Sequence, residues 1–274
     1  MNFVYRGHIK KILPMNTPTI TIFDPELINA VQKARHIVMF TGAGVSAESG
    51  IPTFRDALTG LWSNFNPRQI ATAEAFIQDK ALVWGWYEWR RLKVLQSQPN
   101  PSHHAIAELA RQVPKLTVVT QNVDDLHERA GSTNVIHLHG SLHAPRCFIC
   151  GLGHDQTPDT LLEIDSGSCI EPPHCVHCNG FVRPGVVWFG ENLPALEMQR
   201  ALEAACDCDV MLVIGTSGVV LPAARIPLVA QESGAKVVLI NPNIELSDVE
   251  FDWTLTGNAG QIMPNLLMKL AIMS

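Results

Sequence analysis

The sequence predicts an α/β fold in which a doubly wound parallel sheet carries a smaller inserted module. Several short runs are almost entirely apolar, as expected for parallel strands buried on both faces; they span 36–40, 116–120, 210–214 and 236–240. Helical patterns separate several of these runs, which favours βαβ units. Two long segments contain no strand pattern, and they therefore predict a second, smaller unit.

The predicted elements follow in order along the chain. A first helix begins at Asp24, an N-cap residue followed by Pro25, and its apolar positions are Leu27, Ile28 and Val31. That helix leads into the first strand, at 36–40. Later strands are predicted at 116–120, 134–139, 186–189, 210–214 and 236–240. Helices between them are predicted at 103–112, 194–205 and 222–232.

Two segments interrupt the alternation and are expected to pack together as the smaller module. Residues 56–100 are Trp-rich and helical in character, whereas 145–183 combine cysteine pairs with Gly, Pro, Ser and His. We predict one folded unit over 24–274. Its large domain comprises about 24–55, 101–144 and 184–274, and its small domain about 56–100 and 145–183. Residues 1–23 are expected to form an N-terminal extension, with Met15 as an alternative start.

Bulk composition argues against several classes of protein. The 274 residues are 46% apolar and 17% charged, which is typical of a globular chain. A net charge of −6 argues against nucleic-acid binding, which needs a basic surface. No apolar stretch reaches the roughly 18–20 residues that span a bilayer, and 1–14 lack the apolar region of a secretory signal. Cysteine pairs without a disulfide framework indicate a reducing compartment, so we expect the cytoplasm.

A glycine-rich turn follows the first predicted strand. Gly42, Gly44 and Ala47 fit the Gly-x-Gly-x-x-Gly/Ala pattern of Rossmann-like dinucleotide sites. Gly42 permits a tight turn, Gly44 lets a pyrophosphate approach the backbone, and the N–H groups of the following helix start would face the phosphates. A dehydrogenase would carry a ribose-binding acidic residue about 20 positions further on. The segment around Leu61 offers none at a strand end, which counts against hydride transfer.

Two Cys-x-x-Cys pairs predict a structural zinc site. The four thiols belong to Cys147, Cys150, Cys175 and Cys178. Four thiolates complete a tetrahedral zinc site and leave no open coordination position for catalysis. Cys169, His174 and His177 lie close enough in sequence to be rival ligands. Cys206 and Cys208 are expected to be small buried hydrophobes or free thiols.

Two polar motifs lie at the ends of predicted strands, the edge where open α/β sheets bind ligands. Gln121 begins a Gln-Asn-Val-Asp sequence, and His137 and His139 precede a Gly-Ser pair. His137 and His139 share one side by the two-residue period of a strand, but only His139 adjoins the loop. Histidine titrates near neutrality, so one placed here can accept a proton from a hydroxyl. His127 and His137 are expected to be structural.

In combination, these motifs strongly resemble the sirtuins, the NAD-consuming protein deacylases. The resemblance is carried by residues 41–56, the Gln-Asn-Val-Asp and His-Gly-Ser motifs, the cysteine pairs and residues 183–191, and it covers roughly 34–270. It implies that an acyl-lysine carbonyl oxygen displaces nicotinamide from NAD and that the acyl group ends on ADP-ribose. His139 would be the general base. The implied cofactors are NAD, as a co-substrate, and one structural zinc ion.

The resemblance also implies which residues form the site. Phe54 would shield the reactive carbon, and Arg55 would order a lid. Residues implied to contact the cofactor are Gly42, Ala43, Gly44, Ala47, Glu48, Thr53, Phe54, Arg55, Trp62, Gln121, Asn122, Val123, Asp124, Gly215, Thr216, Ser217, Asn241, Pro242, Asn243 and Ala259. Residues implied to contact the substrate are Tyr87, Arg90, Val187, Trp188 and Phe189.

A pair of polar residues predicts which acyl groups are removed. Tyr87 and Arg90 are three positions apart, so they share one face of a helix. A hydroxyl beside a guanidinium makes a good carboxylate clamp. Class III sirtuins, which remove succinyl, malonyl or glutaryl groups, carry such a pair, preceded by Ala-Thr as at Ala71 here. The resemblance therefore implies desuccinylation or demalonylation with deacetylation retained.

Two other functions remain open at this point. A ribosyl intermediate can also pass to a protein side chain, which is ADP-ribosyl transfer, and a protein with these motifs can be a non-catalytic NAD sensor with a zinc scaffold. We expect acyl-lysine proteins or peptides as partners, no nucleic acid or membrane, and a monomeric chain. The chain departs from many sirtuins at 56–60, where a short glycine-rich step is replaced by Asp-Ala-Leu-Thr-Gly.

Overall fold

The computed structural model describes residues 23–51, 70–155, 168–242 and 249–272. Its main body is a six-stranded sheet in which every neighbouring pair is parallel. The strands of this sheet are β1 (His36–Thr41), β2 (Lys115–Thr120), β3 (Val135–His137), β6 (Val210–Ile214), β7 (Lys236–Asn241) and β8 (Trp253–Thr256). They lie in the order β3-β2-β1-β6-β7-β8.

Helices cover both faces of the sheet, as the doubly wound prediction requires. One face packs against α1 (Pro25–Lys33), α5 (Pro101–Gln112) and α9 (Ala259–Ile272). The opposite face packs against α7 (Ala195–Asp207) and α8 (Ile226–Glu232). Side chains of β1 alternate between the two cores, and all six of its residues are buried. This two-sided burial explains the unbroken apolar runs in the sequence.

The register of the sheet brings several strand ends together. Thr41, the last residue of β1, pairs with Thr120 at the end of β2 and with Ile214 at the end of β6. Short helices α2 (Gly44–Ala47) and α6 (Leu126–Arg129) follow β1 and β2 directly. Their loops therefore meet at one edge. The strand order continues to opposite sides of β1, so this edge includes the switch point where open α/β sheets bind ligands.

A smaller module lies beside this edge. It contains α3 (Ala73–Gln78), α4 (Lys80–Gln96) and an antiparallel pair of short strands, β4 (Arg146–Cys147) and β5 (Val182–Arg183). Its own core unites residues of both inserted segments with the chain that follows, including Phe76, Trp86 and Trp188. No helix among the described residues is long and apolar enough to cross a membrane.

Gly85 shows how closely the two inserted segments pack. A glycine in the middle of a helix costs about 1 kcal/mol relative to alanine. Here a Cβ would lie 2.0 Å from the Ser168 carbonyl oxygen, and the Ile170 N–H donates to the Ala81 carbonyl at 3.0 Å. The segment around Ser168 thus lies directly on α4, and an alanine at position 85 would push the two apart.

Three predictions about strands need correction. The segment 186–189 is not a strand of the sheet; among the described residues it forms one isolated bridge, between Gly140 and Val186. Its apolar side chains are buried in the small module instead. The strand predicted at 134–139 ends at His137. The edge strand β8 was missed because its four residues are half-buried or exposed and include two threonines.

Candidate active site

A cleft of about 760 Å³ lies where the strand ends meet the small module. Its walls include every described residue predicted to contact cofactor or substrate: Gly42, Ala43, Gly44, Ala47, Glu48, Tyr87, Arg90, Gln121, Asn122, Val123, Asp124, His139, Val187, Trp188, Phe189, Gly215, Thr216, Ser217, Asn241, Pro242 and Ala259. The remaining predicted residues, Thr53, Phe54, Arg55, Trp62 and Asn243, lie outside the described residues.

The glycines of this cleft allow two turns to touch. A Cβ on Gly42 would lie 2.8 Å from the Gly215 carbonyl oxygen, and one on Gly44 would lie 2.7 Å from the Gly215 Cα. Gly215 has φ +59°, and its own Cβ would lie 2.5 Å from the Val45 nitrogen. Any side chain at these three positions would separate the turns after β1 and β6. The glycines of the motif are therefore required by the close packing of the protein's own backbone.

Most N–H groups of the first turn already have acceptors. Gly42 donates to the Ile214 carbonyl at 3.0 Å, and Gly44 donates to Gly215 at 2.8 Å. Val45 and Ser46 donate to carbonyls within the same turn. The expectation that N–H groups of this helix start face a phosphate stays a prediction, and these four N–H groups are already bonded within the protein. The helix itself has four residues, so it has little dipole to offer.

A buried hydrogen-bond network connects the turns after β1 and β2. The Ser46 hydroxyl donates to Asp124 Oδ2 at 3.0 Å and accepts from Asn122 Nδ2 at 3.0 Å. Burial raises the pKa of Asp124, although hydrogen bonds from Leu126 N–H and Ser46 oppose the shift. Ser46, a small polar residue within the glycine motif, was not among the predicted site residues. The network holds the carboxamide of Asn122 with its Oδ1 unbonded among the described residues.

The hydrogen bonds of His139 assign its tautomer. Its Nδ1 lies 2.9 Å from the Gln121 carbonyl oxygen, which can only accept. Nδ1 therefore carries the hydrogen, and Nε2 has a lone pair facing the cleft that His139 lines. Burial lowers the pKa of His139 below its ordinary value of 6.5, although the carbonyl bond opposes the shift. The neutral ring is thus arranged to accept a proton.

His127 and His137 have structural partners, as predicted. His137 Nε2 lies 2.6 Å from Glu128 Oε1, and its Nδ1 lies 3.2 Å from the Asn122 carbonyl oxygen. Burial would lower the pKa of His137, but Glu128, the Asn122 carbonyl and Asp124 together raise it. His127 is buried beneath the sheet edge, where Nε2 contacts Thr41 Oγ1 at 3.1 Å and burial holds its pKa well below 6.5.

Side-chain hydrogen bonds also connect the turns after β6 and β7 to the turn after β2. Gln121 Nε2 donates to Thr216 Oγ1 at 2.8 Å, and Asn241 Nδ2 donates to the Thr216 carbonyl at 3.1 Å. Glu48 accepts from the Gly260 N–H at 2.7 Å, at the start of α9. The turns after β1, β2, β6 and β7 thus form one connected rim.

The segment 186–189 joins the two modules across the cleft. The Val187 N–H donates to the His139 carbonyl at 2.8 Å, and the Phe189 N–H donates to the Ala71 carbonyl at 2.9 Å. Phe189 is 40% exposed, whereas Trp188 is fully buried. The backbone of this segment therefore lies between the histidine and the small module.

Tyr87 and Arg90 lie on the wall of the cleft that α4 forms. The Tyr87 hydroxyl accepts from Trp188 Nε1 at 3.1 Å, and burial raises the pKa of Tyr87 to about 12. Tyr87 therefore stays a phenol whose proton can be donated. The Arg90 guanidinium stacks on Trp86, 4.8 Å from the ring centre, and makes no hydrogen bond or ion pair within the described residues. Burial lowers its pKa, while Tyr87 and Asp124 oppose the shift.

The four predicted zinc ligands form a compact thiol cluster. The sulfurs of Cys147, Cys150, Cys175 and Cys178 all lie within 4.8 Å of one another. Four such sulfurs fit a tetrahedral structural zinc ion. None of the rivals belongs to this cluster: Cys169 is exposed, and His174 Nδ1 contacts the Asn179 carbonyl oxygen at 2.9 Å. Cys208 is buried, as expected, and Cys206 is exposed.

Comparisons with known proteins identify relatives of this chain. Residues 42–222 match the Sir2 family model. The NAD-dependent protein deacylase 1 of Pseudomonas aeruginosa is 57% identical over 89% of this chain and 97% of its own. A crystal structure of a Sir2 homologue with NAD superposes with a TM-score of 0.83 at 42% identity, covering 92% of this chain and 96% of that one. A Sir2 structure with a myristoylated histone peptide has a TM-score of 0.72 at 33% identity, covering 90% and 96%.

Removing one thiol tests the metal site. Cys178→Ser should reduce zinc from about one ion per chain to near zero and lower the melting temperature, because a structural zinc contributes directly to folding. Metal analysis and thermal melts measure both effects. Cys206→Ser, which removes an exposed thiol outside the cluster, is the control and should keep its zinc. Full zinc content in Cys178→Ser would contradict the assignment.

Proposed function

The chain belongs to the Sir2 family, and from that premise we propose that it is an NAD-dependent protein lysine deacylase. Its products are nicotinamide, O-acyl-ADP-ribose and the free lysine. One observation carries the proposal: the sheet edge and the small module enclose a single cleft in which a neutral histidine faces the predicted dinucleotide residues.

The residues of the cleft fit an extended dinucleotide. The turns after β6 and β7 offer backbone and small polar groups to an adenosine and its phosphates, through Gly215, Ser217 and Asn241. At the other end, the unbonded Oδ1 of Asn122 can accept from a carboxamide. NAD supplies a ribose carbon from which nicotinamide leaves when an acyl-lysine oxygen attacks.

His139 is the proposed general base. Its Nε2 can take the proton of a ribose hydroxyl because Nδ1 is held by the Gln121 carbonyl. The segment that holds Val187 would bind the substrate backbone, since it lies beside His139 and leaves Phe189 partly exposed for an aliphatic lysine stem. Both modules thus contribute to one reaction centre.

We propose that acidic acyl groups are removed as well as acetyl. Arg90 is partly buried and forms no salt bridge among the described residues, although Asp124 is near enough to oppose the lowering of its pKa. A cation in such a place is stabilised when a carboxylate arrives. Tyr87 contributes a hydroxyl proton from the same helix face. Succinyl and malonyl groups would place a carboxylate there.

The proposed partners are proteins bearing acyl-lysine, and we propose a monomer acting in the cytoplasm. A net charge of −6 suits lysine-bearing partners and argues against nucleic acid. None of the described cysteines forms a disulfide, which is compatible with a reducing compartment.

Weighing reaction products tests the proposed function against its alternatives. The protein is incubated with NAD and with succinyl-lysine, acetyl-lysine or unmodified peptides. Deacylation would lower the peptide mass and yield acyl-ADP-ribose. A rise in peptide mass would instead indicate ADP-ribosyl transfer, and unchanged masses would indicate a non-catalytic protein.

The pH profile tests His139. Because only the neutral ring accepts a proton, kcat/KM should fall as the pH drops through the pKa of His139, with a midpoint below 6.5. His139→Ala should lower kcat by about 100-fold or more. His104→Gln, at an exposed position of α5, should leave the profile unchanged. A midpoint above 6.5, or an active His139→Ala variant, would exclude this role.

Arg90→Met tests the carboxylate clamp. It should lower kcat/KM on a succinyl-lysine peptide by about 10- to 100-fold, the effect of losing a charged hydrogen bond. Deacetylation should fall far less, because an acetyl group presents no carboxylate. Lys93→Met removes the same charge one turn further along α4 and should have the smaller effect. Equal losses on both substrates in Arg90→Met would refute the clamp.

A further inference from the structure

Arg183 lies at the end of β5, outside the cleft, yet its side chain is only 5% exposed. Nη1 and Nη2 both donate to the Glu191 carboxylate, the latter at 2.9 Å. Nη2 also donates to the Val186 carbonyl at 3.0 Å, and Nε donates to the Pro184 carbonyl at 3.3 Å. This guanidinium is therefore bonded along the segment that lines the cleft.

The same guanidinium stacks on Trp188. Its Cζ lies 3.5 Å from the centre of that ring, a close cation–π contact for a desolvated pair. Glu191 also fixes the backbone of Trp188, because its Oε2 accepts from the Trp188 N–H at 2.8 Å. Burial alone would raise the pKa of Glu191, but Arg183, the Trp188 N–H and, least of the three, Arg146 together lower it. Backbone and ring of Trp188 are thus both positioned through Arg183.

The indole of Trp188 in turn contacts the Tyr87 hydroxyl. Indole Nε1 is a donor only, so the 3.1 Å contact makes the Tyr87 hydroxyl the acceptor. A hydroxyl that accepts on one side keeps its own proton for another partner. Within the described residues that proton has no acceptor, and the hydroxyl lies on the cleft wall beside the helix turn of Arg90.

We propose that Arg183 is a positioning residue for acyl selectivity: it fixes Trp188, whose indole N–H orients the Tyr87 hydroxyl proton towards an acyl carboxylate. This inference rests on the proposed function. It deepens that function by assigning selectivity to a residue that contacts neither substrate nor cofactor. An acetyl group has no carboxylate for Tyr87 to bond, so its removal depends less on Arg183.

Arginine is suited to this task and lysine is not. A guanidinium is planar, grips both carboxylate oxygens and stacks on an aromatic face, whereas an ammonium is a compact point charge. Arg183→Lys therefore keeps the positive charge beside Glu191 but loses both the two-nitrogen bond to the carboxylate and the stacking on Trp188. Arg146 pairs with Arg183 across the β4–β5 ladder. Its Nη2 lies 4.0 Å from Glu191 Oε2, but among the described residues it does not stack on Trp188. Arg146→Lys is thus the matched control.

The first measurement is the ratio of kcat/KM on succinyl-lysine to that on acetyl-lysine. Arg183→Lys should lower this ratio by about 10-fold, the scale of one hydrogen bond to a charged group. Trp188→Phe keeps an aromatic face for Arg183 but removes the indole donor, and it should lower the ratio similarly. Arg146→Lys should leave the ratio as in the wild type. Equal losses on both substrates in Arg183→Lys would overturn the proposal.

A second measurement needs no turnover. The chain has two tyrosines, Tyr5 and Tyr87, so Tyr5→Phe protein with ¹³Cζ-labelled tyrosine reports Tyr87 alone by NMR. Its signal in Arg183→Lys should move towards that of Trp188→Phe, since both disturb the indole hydrogen bond. If Arg183→Lys leaves the signal where Arg146→Lys leaves it, the positioning role is wrong. A wild-type protein that removes no acyl group would instead refute the proposed function.

Discussion

Backbone contact between the turns after β1 and β6 is the constraint on which the cleft depends. Gly42, Gly44 and Gly215 approach so closely that any Cβ would collide with the opposite turn. Because these strands are adjacent and in register, their turns meet at the switch point of the sheet. The cleft lies at this edge of the sheet. Hydrogen bonds from Ser46 to Asp124 and from Gln121 to Thr216 connect the turn after β2 to the turns after β1 and β6.

The cleft also requires the small module to lie against the same edge of the sheet. The 186–189 segment connects the two through backbone hydrogen bonds, from the Val187 N–H to the His139 carbonyl and from the Phe189 N–H to the Ala71 carbonyl. Arg183 and the thiol cluster hold the other side of this connection, since β5 pairs with β4 at Cys147. The thiol cluster thus lies on the strand pair from which the 186–189 segment continues.

Local patterns predicted most of the large domain but only part of the site. Strands buried on both faces leave an unbroken apolar signature, whereas β8, with alternating exposure, does not. Residues 186–189 misled the prediction because a loop buried in the small module is as apolar as a strand. The spacing of Tyr87 and Arg90 placed them on one helix face. The hydrogen bond between Tyr87 and Trp188 spans 101 positions, and no local pattern could contain it.

The central claim is that one cleft couples cleavage of NAD to removal of an acyl group from lysine. The most direct test counts nicotinamide and free-lysine peptide in the same reaction, with and without acylation of the peptide. The account predicts equal amounts of the two products and negligible nicotinamide with unmodified peptide. Free lysine formed without NAD, or nicotinamide released equally fast on unmodified peptide, would contradict it.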